Sequence, residues 1–395
     1  MESKLNKKEE HCSDLIFTRY LYIKDEVQIS LLVSILNKND DAIFWAYELY
    51  YSGFKTELLN IIWKIYYDFF VTLNPTFEKY LLKKHREILE TESDQDKDKV
   101  ISSIIQTLLF RPFNTDVFLL RNVAENFELD INYCERTEKI NDTTDAIKNV
   151  AKWIKTNDYR SIAQWILNVN SNINSTEIYG ICLDIFEENI LKNTKIKLLK
   201  EFDSIIKLVM NEKVVLLGKI MCLFSKLQQL KKGKSIYINV EQEDIIPYET
   251  NSNSKHYKIL EDSCILNIDD LKHLSLFKLK RDKYDLQEEY KNNWEYYASF
   301  SPIWSQRIIK FGGYVDHRKK RVVFKEEPDD ELMQEFYGLY GLEPDEQSKS
   351  VQDKSIQKIE KTYDWKWFNI KYKKNGLFDI YEEELEEFDE SGLIY

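Results

Sequence analysis

AIFWAYELYYSGFKTELLNIIWKIYYDFFV, residues 42–71, decides the fold. It breaks at Ser52-Gly53 into two helical runs, and the second is apolar on almost every side. Leu58, Leu59, Ile61, Ile62, Trp63, Ile65, Tyr66, Phe69 and Phe70 leave Asn60, Lys64 and Asp68 as a thin polar stripe. A helix apolar all round has to be enclosed by protein or lipid. Lys64 and Asp68 stand four apart and are expected to pair on the one wet edge, which favours protein. Gly53 falls where a left-handed residue closes the first run, and Thr56 is placed to cap the second.

Working outward, residues 27–36 read as a helix with Val27, Leu31, Leu32 and Ile35 on one side. Asn37-Lys38-Asn39-Asp40 is a turn whose Asp40 is the expected N-cap. Pro75 opens a further helix to about residue 90, and 90–99 (ETESDQDKDK) reads as a solvated loop. Helices are expected over 100–110, 115–127, 143–156, 159–168, 176–190, 195–210 and 213–231. At an offset of 120 residues Asn37 pairs with Asn157, Trp45 with Trp165, Thr56 with Thr176, Glu57 with Glu177 and Ile61 with Ile181. That pattern fits a stacked helix-hairpin repeat, against the alternative of two unrelated hairpins.

Past Lys231-Lys232-Gly233 the character changes. IYINV (236–240) alternates like a strand, and 257–266 holds another candidate. Residues 282–300 form a helix with Leu286, Tyr290, Trp294 and Tyr297 on one face, and Pro302 opens the next. Residues 314–324 read as a hairpin with 317–320 at its tip, and Asn375-Gly376 suits a type I′ turn between strands at 365–373 and 377–381. The fold class is therefore mostly α: an N-terminal array of antiparallel helical hairpins, α-solenoid-like, then a smaller α+β region with hairpins. The expected domains are 1–233, 234–342 with the basic hairpin, and 343–395 with a polar linker, the Asn-Gly hairpin and an acidic tail.

Composition supports helices, since only 10 Gly and 6 Pro punctuate 395 residues. The net charge of −12 is uneven: residues 379–395 carry eight of the acidic side chains and no base, two thirds of the net value. The near-neutral remainder argues against coating nucleic acid by bulk charge. The five cysteines show no CxxC, so no disulfide framework is expected. The charged start has no apolar core for a signal peptide, and no apolar run is long enough for a membrane span. A cytoplasmic protein is expected.

No reaction is written in the motifs. Gly233-Lys234-Ser235 resembles the end of a phosphate loop, but the upstream glycine position is Gln228; Gly218-Lys219 is followed by Ile220. The five histidines stand apart, so no metal site and no cofactor are expected. Two basic stretches suit a nucleic-acid contact. Arg318, Lys319, Lys320 and Arg321 sit at a hairpin tip after two helices, as in a winged helix, or form a solvated turn. Trp365, Trp367, Lys371 and Lys373 belong to a strand mixing aromatic and basic residues, or to a core strand. The tail, with Phe378, Tyr381, Leu385, Phe388 and Tyr395 among its acids, suits docking on a basic, apolar groove of a protein partner, or is a merely solubilising tail.

Ile246-Pro247-Tyr248, Tyr257-Lys258-Ile259-Leu260 and EFYGLYGLEPDEQ (335–347), with the Lys/Asn/Ile/Tyr bias, are similar to orphan proteins of large nucleocytoplasmic DNA viruses. The resemblance implies a viral protein acting in host cytoplasm or in the particle, and carries no functional residue with it. The leading function is a non-enzymatic interaction scaffold, a viral structural or accessory component; the alternative is a nucleic-acid-associated accessory factor.

Overall fold

The apolar rod is helix α3 (Lys55–Ile65), preceded by α1 (Lys24–Asn37) and α2 (Asp41–Tyr51) and continued by a π-helix over Tyr66–Phe70. The computed structural model describes residues 13, 15–91, 93–125, 143–168, 174–186, 191–209, 211–226, 237–248, 285–324, 331–341, 371–372 and 375–378. Leu58, Ile62, Trp63, Tyr66, Tyr67 and Phe70 are wholly buried, as an all-round apolar rod requires. Its polar stripe is wet only in part: Lys64 is exposed and Asn60 half-buried. Asp68 is buried, and Arg121 grips it twice, Nε to Oδ1 at 3.0 Å and Nη2 to Oδ2 at 2.9 Å. A guanidinium fork matches both carboxylate oxygens, which a lysine ammonium cannot do.

The protein is mostly α-helical. The chain forms two compact units, and neither is one run of sequence: Met1–Leu58 with Val240–Tyr363, and Leu59–Asn239 with Asp364–Tyr395. The break expected at 233 lies close to the return at Val240, but residues 1–58 belong with the later segment and residues 364–395 with the helical one.

The reason for the first pairing is a shared core. Leu15, Phe17 and Leu21 join Trp294, Tyr297, Trp304, Phe336 and Tyr340 in one buried cluster. The Trp304 indole N–H donates to the Thr18 carbonyl at 2.9 Å, and the Ile303 N–H to the Ser52 carbonyl at 3.2 Å. Gly53 has φ +94°, and a Cβ there would stand 2.5 Å from the Pro302 side chain, so both the turn and the approach need glycine. Arg19 and Glu48 form a buried pair, Nε to Oε2 at 2.9 Å, and Glu48 also accepts the Tyr20 N–H. Asn39 serves the start of α2 in place of the expected Asp40: its Oδ1 accepts the Asp41 N–H at 3.0 Å, while Asp40 is already helical and makes no cap bond.

The second unit holds α4 (Phe77–Glu90), α5 (Asp94–Leu109), α6 (Asp116–Glu125), α7 (Thr143–Lys155), α8 (Tyr159–Asn168), α9 (Ser175–Phe186), α10 (Lys192–Ile206) and α11 (Glu212–Lys226). Helix α5 starts earlier than its apolar residues imply, because Ser93 Oγ accepts the Asp96 N–H and caps it; the expected loop over 90–99 is mostly its first turns. Helices α6 and α11 pack on the π stretch. Gly218 of α11 is a packing glycine and no phosphate loop: a Cβ there would lie 2.7 Å from the Tyr67 ring.

Later in the chain the first unit adds α12 (Leu286–Ala298), α13 (Pro302–Lys310), the antiparallel pair β1 (Gly313–Asp316) and β2 (Arg321–Phe324), and α14 (Glu331–Tyr340). The expected hairpin with its tip at 317–320 is there. The strand expected at 236–240 is not: residues 237–240 have no strand partner, and the Ile238 N–H donates to Thr107 Oγ1 at 3.1 Å. At the Asn-Gly site, Asn375 has φ +56° as that dipeptide favours. Lys371 and Tyr372 are helical, however, and the Leu377 N–H donates to Asp116 Oδ2 at 2.9 Å, so the described residues there form no ladder. The candidate strand at 257–266 lies outside the described residues. No helix among the described residues is long and apolar enough to cross a membrane.

Candidate functional site: a basic groove between α4 and α10

Helix α4 buries Phe77, Leu81, His85 and Ile88 on one face. The helical period then puts Lys79, Lys83 and Arg86, at i, i+4 and i+7, on the other, and all three are exposed. Helix α10 repeats the arrangement, with Phe202 and Ile205 buried and Lys197 and Lys200 exposed. It is fixed to α9 by Thr176 donating to Asp203 and by Lys195 pairing with Asp184. Between α4 and α10 lies an open groove of about 1230 Å³.

The charges along this groove do not cancel. Lys79 reaches Glu201 on α10 at 3.3 Å. Glu87 is held by Lys84 at 3.0 Å. Glu78 accepts the Tyr67 hydroxyl at 2.8 Å and pairs with Lys219. Lys83, Arg86, Lys197 and Lys200 make no ion pair among the described residues, and Glu90 is the one lining carboxylate in the same position. Leu82, Ile196 and Ile205 supply apolar surface, and Ile196 is 41% exposed. Among the described residues no aromatic side chain lines the groove.

Beneath it the polar groups are structural. Burial first, then the Glu78 charge, raise the Tyr67 pKa, so the phenol stays a donor. The Trp63 indole N–H donates to His85 Nδ1 at 2.8 Å, which places the imidazole proton on Nε2. Burial lowers the His85 pKa below its ordinary value of 6.5. The unfolded chain therefore takes up this proton first as pH falls. Stability should drop as pH goes from about 7 through 6.5 and on through the lower folded value. Denaturant titrations between pH 5 and 8 should show this slope, and His85→Gln should flatten it. Cys182 is equally inert, its thiol pushed up to about 12 by burial.

Thr91 and Ser204 are the hydroxyl-bearing residues along the groove among the described residues. No group of three His, Cys, Asp or Glu side chains among the described residues is arranged to hold a metal ion.

The residues singled out from sequence are placed as follows. Arg318, Lys319 and Arg321 are exposed at the hairpin and make no side-chain ion pair among the described residues. Lys320 turns back, with φ +48° and its Nζ 3.2 Å from both Glu289 and the Tyr297 hydroxyl. Those two bonds raise its pKa. Lys371 is exposed on a helical residue in the other unit. Trp365, Trp367, Lys373, Tyr381, Leu385, Phe388 and Tyr395 lie outside the described residues. Phe378 is buried, its ring 4.9 Å from Tyr159 and 6.5 Å from Phe224. Sequence reasoning missed the groove. Its one local signal was three cations on a single face of α4; that α10 faces them is a tertiary fact. Comparison with family models, with curated proteins and with solved structures finds no match for this chain.

Proposed function

We propose that this is a non-enzymatic binding protein and that the groove between α4 and α10 receives an acidic polypeptide. One observation carries the reading: Lys83 and Arg86 on one wall and Lys197 and Lys200 on the other, four cations with no ion pair among the described residues. Apolar surface between cationic walls suits a segment that mixes carboxylates with apolar side chains. Single-stranded nucleic acid is favoured less here, because it draws on aromatic platforms. The similarity to orphan proteins of large nucleocytoplasmic DNA viruses favours, as the partner, a component of host cytoplasm or of the particle.

The test is a titration with a labelled acidic-apolar peptide. Lys197→Glu with Lys200→Glu should weaken binding by about tenfold or more. Stability should stay within about 0.5 kcal/mol, since both sites are exposed. Unchanged affinity removes the reading. The exposed Arg318, Lys319 and Arg321 favour a second one, a phosphate contact at the hairpin. A single-stranded oligonucleotide in the same assay at ~50 mM salt should then lose affinity, with a shallower salt slope, on Arg318→Glu with Arg321→Glu. No binding at that salt removes it.

A further inference from the structure

We infer that the occupant of this groove is the chain's own acidic segment, residues 379–395; the inference rests on the groove reading above and names its ligand. The segment starts from a fixed point. Asn375 Nδ2 donates to the Phe113 carbonyl at 3.3 Å, the Leu377 N–H to Asp116 at 2.9 Å, and Phe378 is seated against Tyr159. All of these belong to the unit that carries the groove. From Phe378, 17 residues follow. The carboxylates at 382–390 stand 4 to 12 residues past Phe378, a reach of ~13–40 Å at about 3.3 Å each, on the scale of the ~17 Å radius of gyration of a unit this size.

The chemistry is complementary. The segment holds eight carboxylates and no base, and the groove has four cations without an ion pair among the described residues. Tyr381, Leu385 and Phe388 recur at i, i+4 and i+7. These apolar side chains are interleaved with carboxylates in the sequence, as apolar Leu82 and Ile196 stand among lysines along the groove. Tethering makes the encounter intramolecular, at an effective concentration near the millimolar range. An external acidic partner would then have to displace the segment, and salt would ease the displacement by screening.

Carbodiimide coupling of the full chain, followed by peptide mapping, tests this. Carboxylates within 382–390 should couple to Lys83, Lys197 or Lys200, and a mixture of isotope-labelled and unlabelled chains should show those links within single chains. Links only to other lysines, or only between chains, overturn the inference. A full-length variant with Glu382, Glu383, Glu384, Glu386 and Glu387 changed to Gln should bind a labelled peptide of residues 379–395 about tenfold more tightly than the unaltered chain does. Equal affinity overturns it. A poly-glutamate probe separates the two levels. If it binds the Gln variant and the 379–395 peptide does not, the groove reading stands and the assignment of its occupant falls. If neither binds, both fall.

Discussion

Trp63→Ala should destabilise the protein by about 3–5 kcal/mol, a large part of the ~5–15 kcal/mol that holds an ordinary fold together. Trp63 is wholly buried, its ring stacked on Tyr67 with centroids 5.9 Å apart and edge-on to Tyr66 at 6.2 Å. Truncation opens a cavity in the middle of the rod and removes the donor to His85 Nδ1. Trp63→Phe keeps most of the volume and loses that hydrogen bond, so it should cost less, on the order of 1–3 kcal/mol. Urea titration of both variants gives the order. A loss below about 1 kcal/mol for Trp63→Ala would mean that the rod is not the centre of its unit, since surface changes fall in that range.

Asp68→Ala should cost a similar amount, about 3–5 kcal/mol, for a different reason. Arg121 is 7% exposed and would lose the carboxylate that meets it with two bonds. Taking a charge out of water is tolerated only when the partner and the hydrogen bonds are both present. The expected signature is therefore asymmetric: Asp68→Leu together with Arg121→Met should recover much of the loss, because it removes the orphaned charge along with the pair. If the double variant is no more stable than Asp68→Ala, the cost lies in packing and not in charge.

Asp68 also shows how far sequence carries. The rod was legible because its apolar residues leave only a thin polar stripe, a property of the residues themselves. Asp68 was misread because the nearest opposite charge along the chain is Lys64, whereas Arg121 lies 53 residues away. The same limit governs the turn at Asp40, where Asn39 is an equally good acceptor one position earlier. Alternation over 236–240 spans five residues, too few to separate a strand from a loop whose N–H finds a threonine. The hairpin at β1 and β2 was plain because Gly312-Gly313 marks its start and the basic tip its turn. Lys79, Lys83 and Arg86 could be read as one face of α4, but the lysines opposite come from α10, more than a hundred positions on.

The discontinuous first unit has a consequence for the birth of the protein. As the chain leaves the ribosome, Leu15, Phe17 and Leu21 emerge well before Trp294, Trp304 and Phe336, which complete their core. Nearly all of the other unit is translated in between. The nascent chain must therefore hold these apolar residues without their partners while that stretch is made, a state prone to aggregation. Chaperone engagement of this early segment, relieved once residue 340 clears the exit tunnel, is the expected outcome, and arrested nascent chains of increasing length would report it.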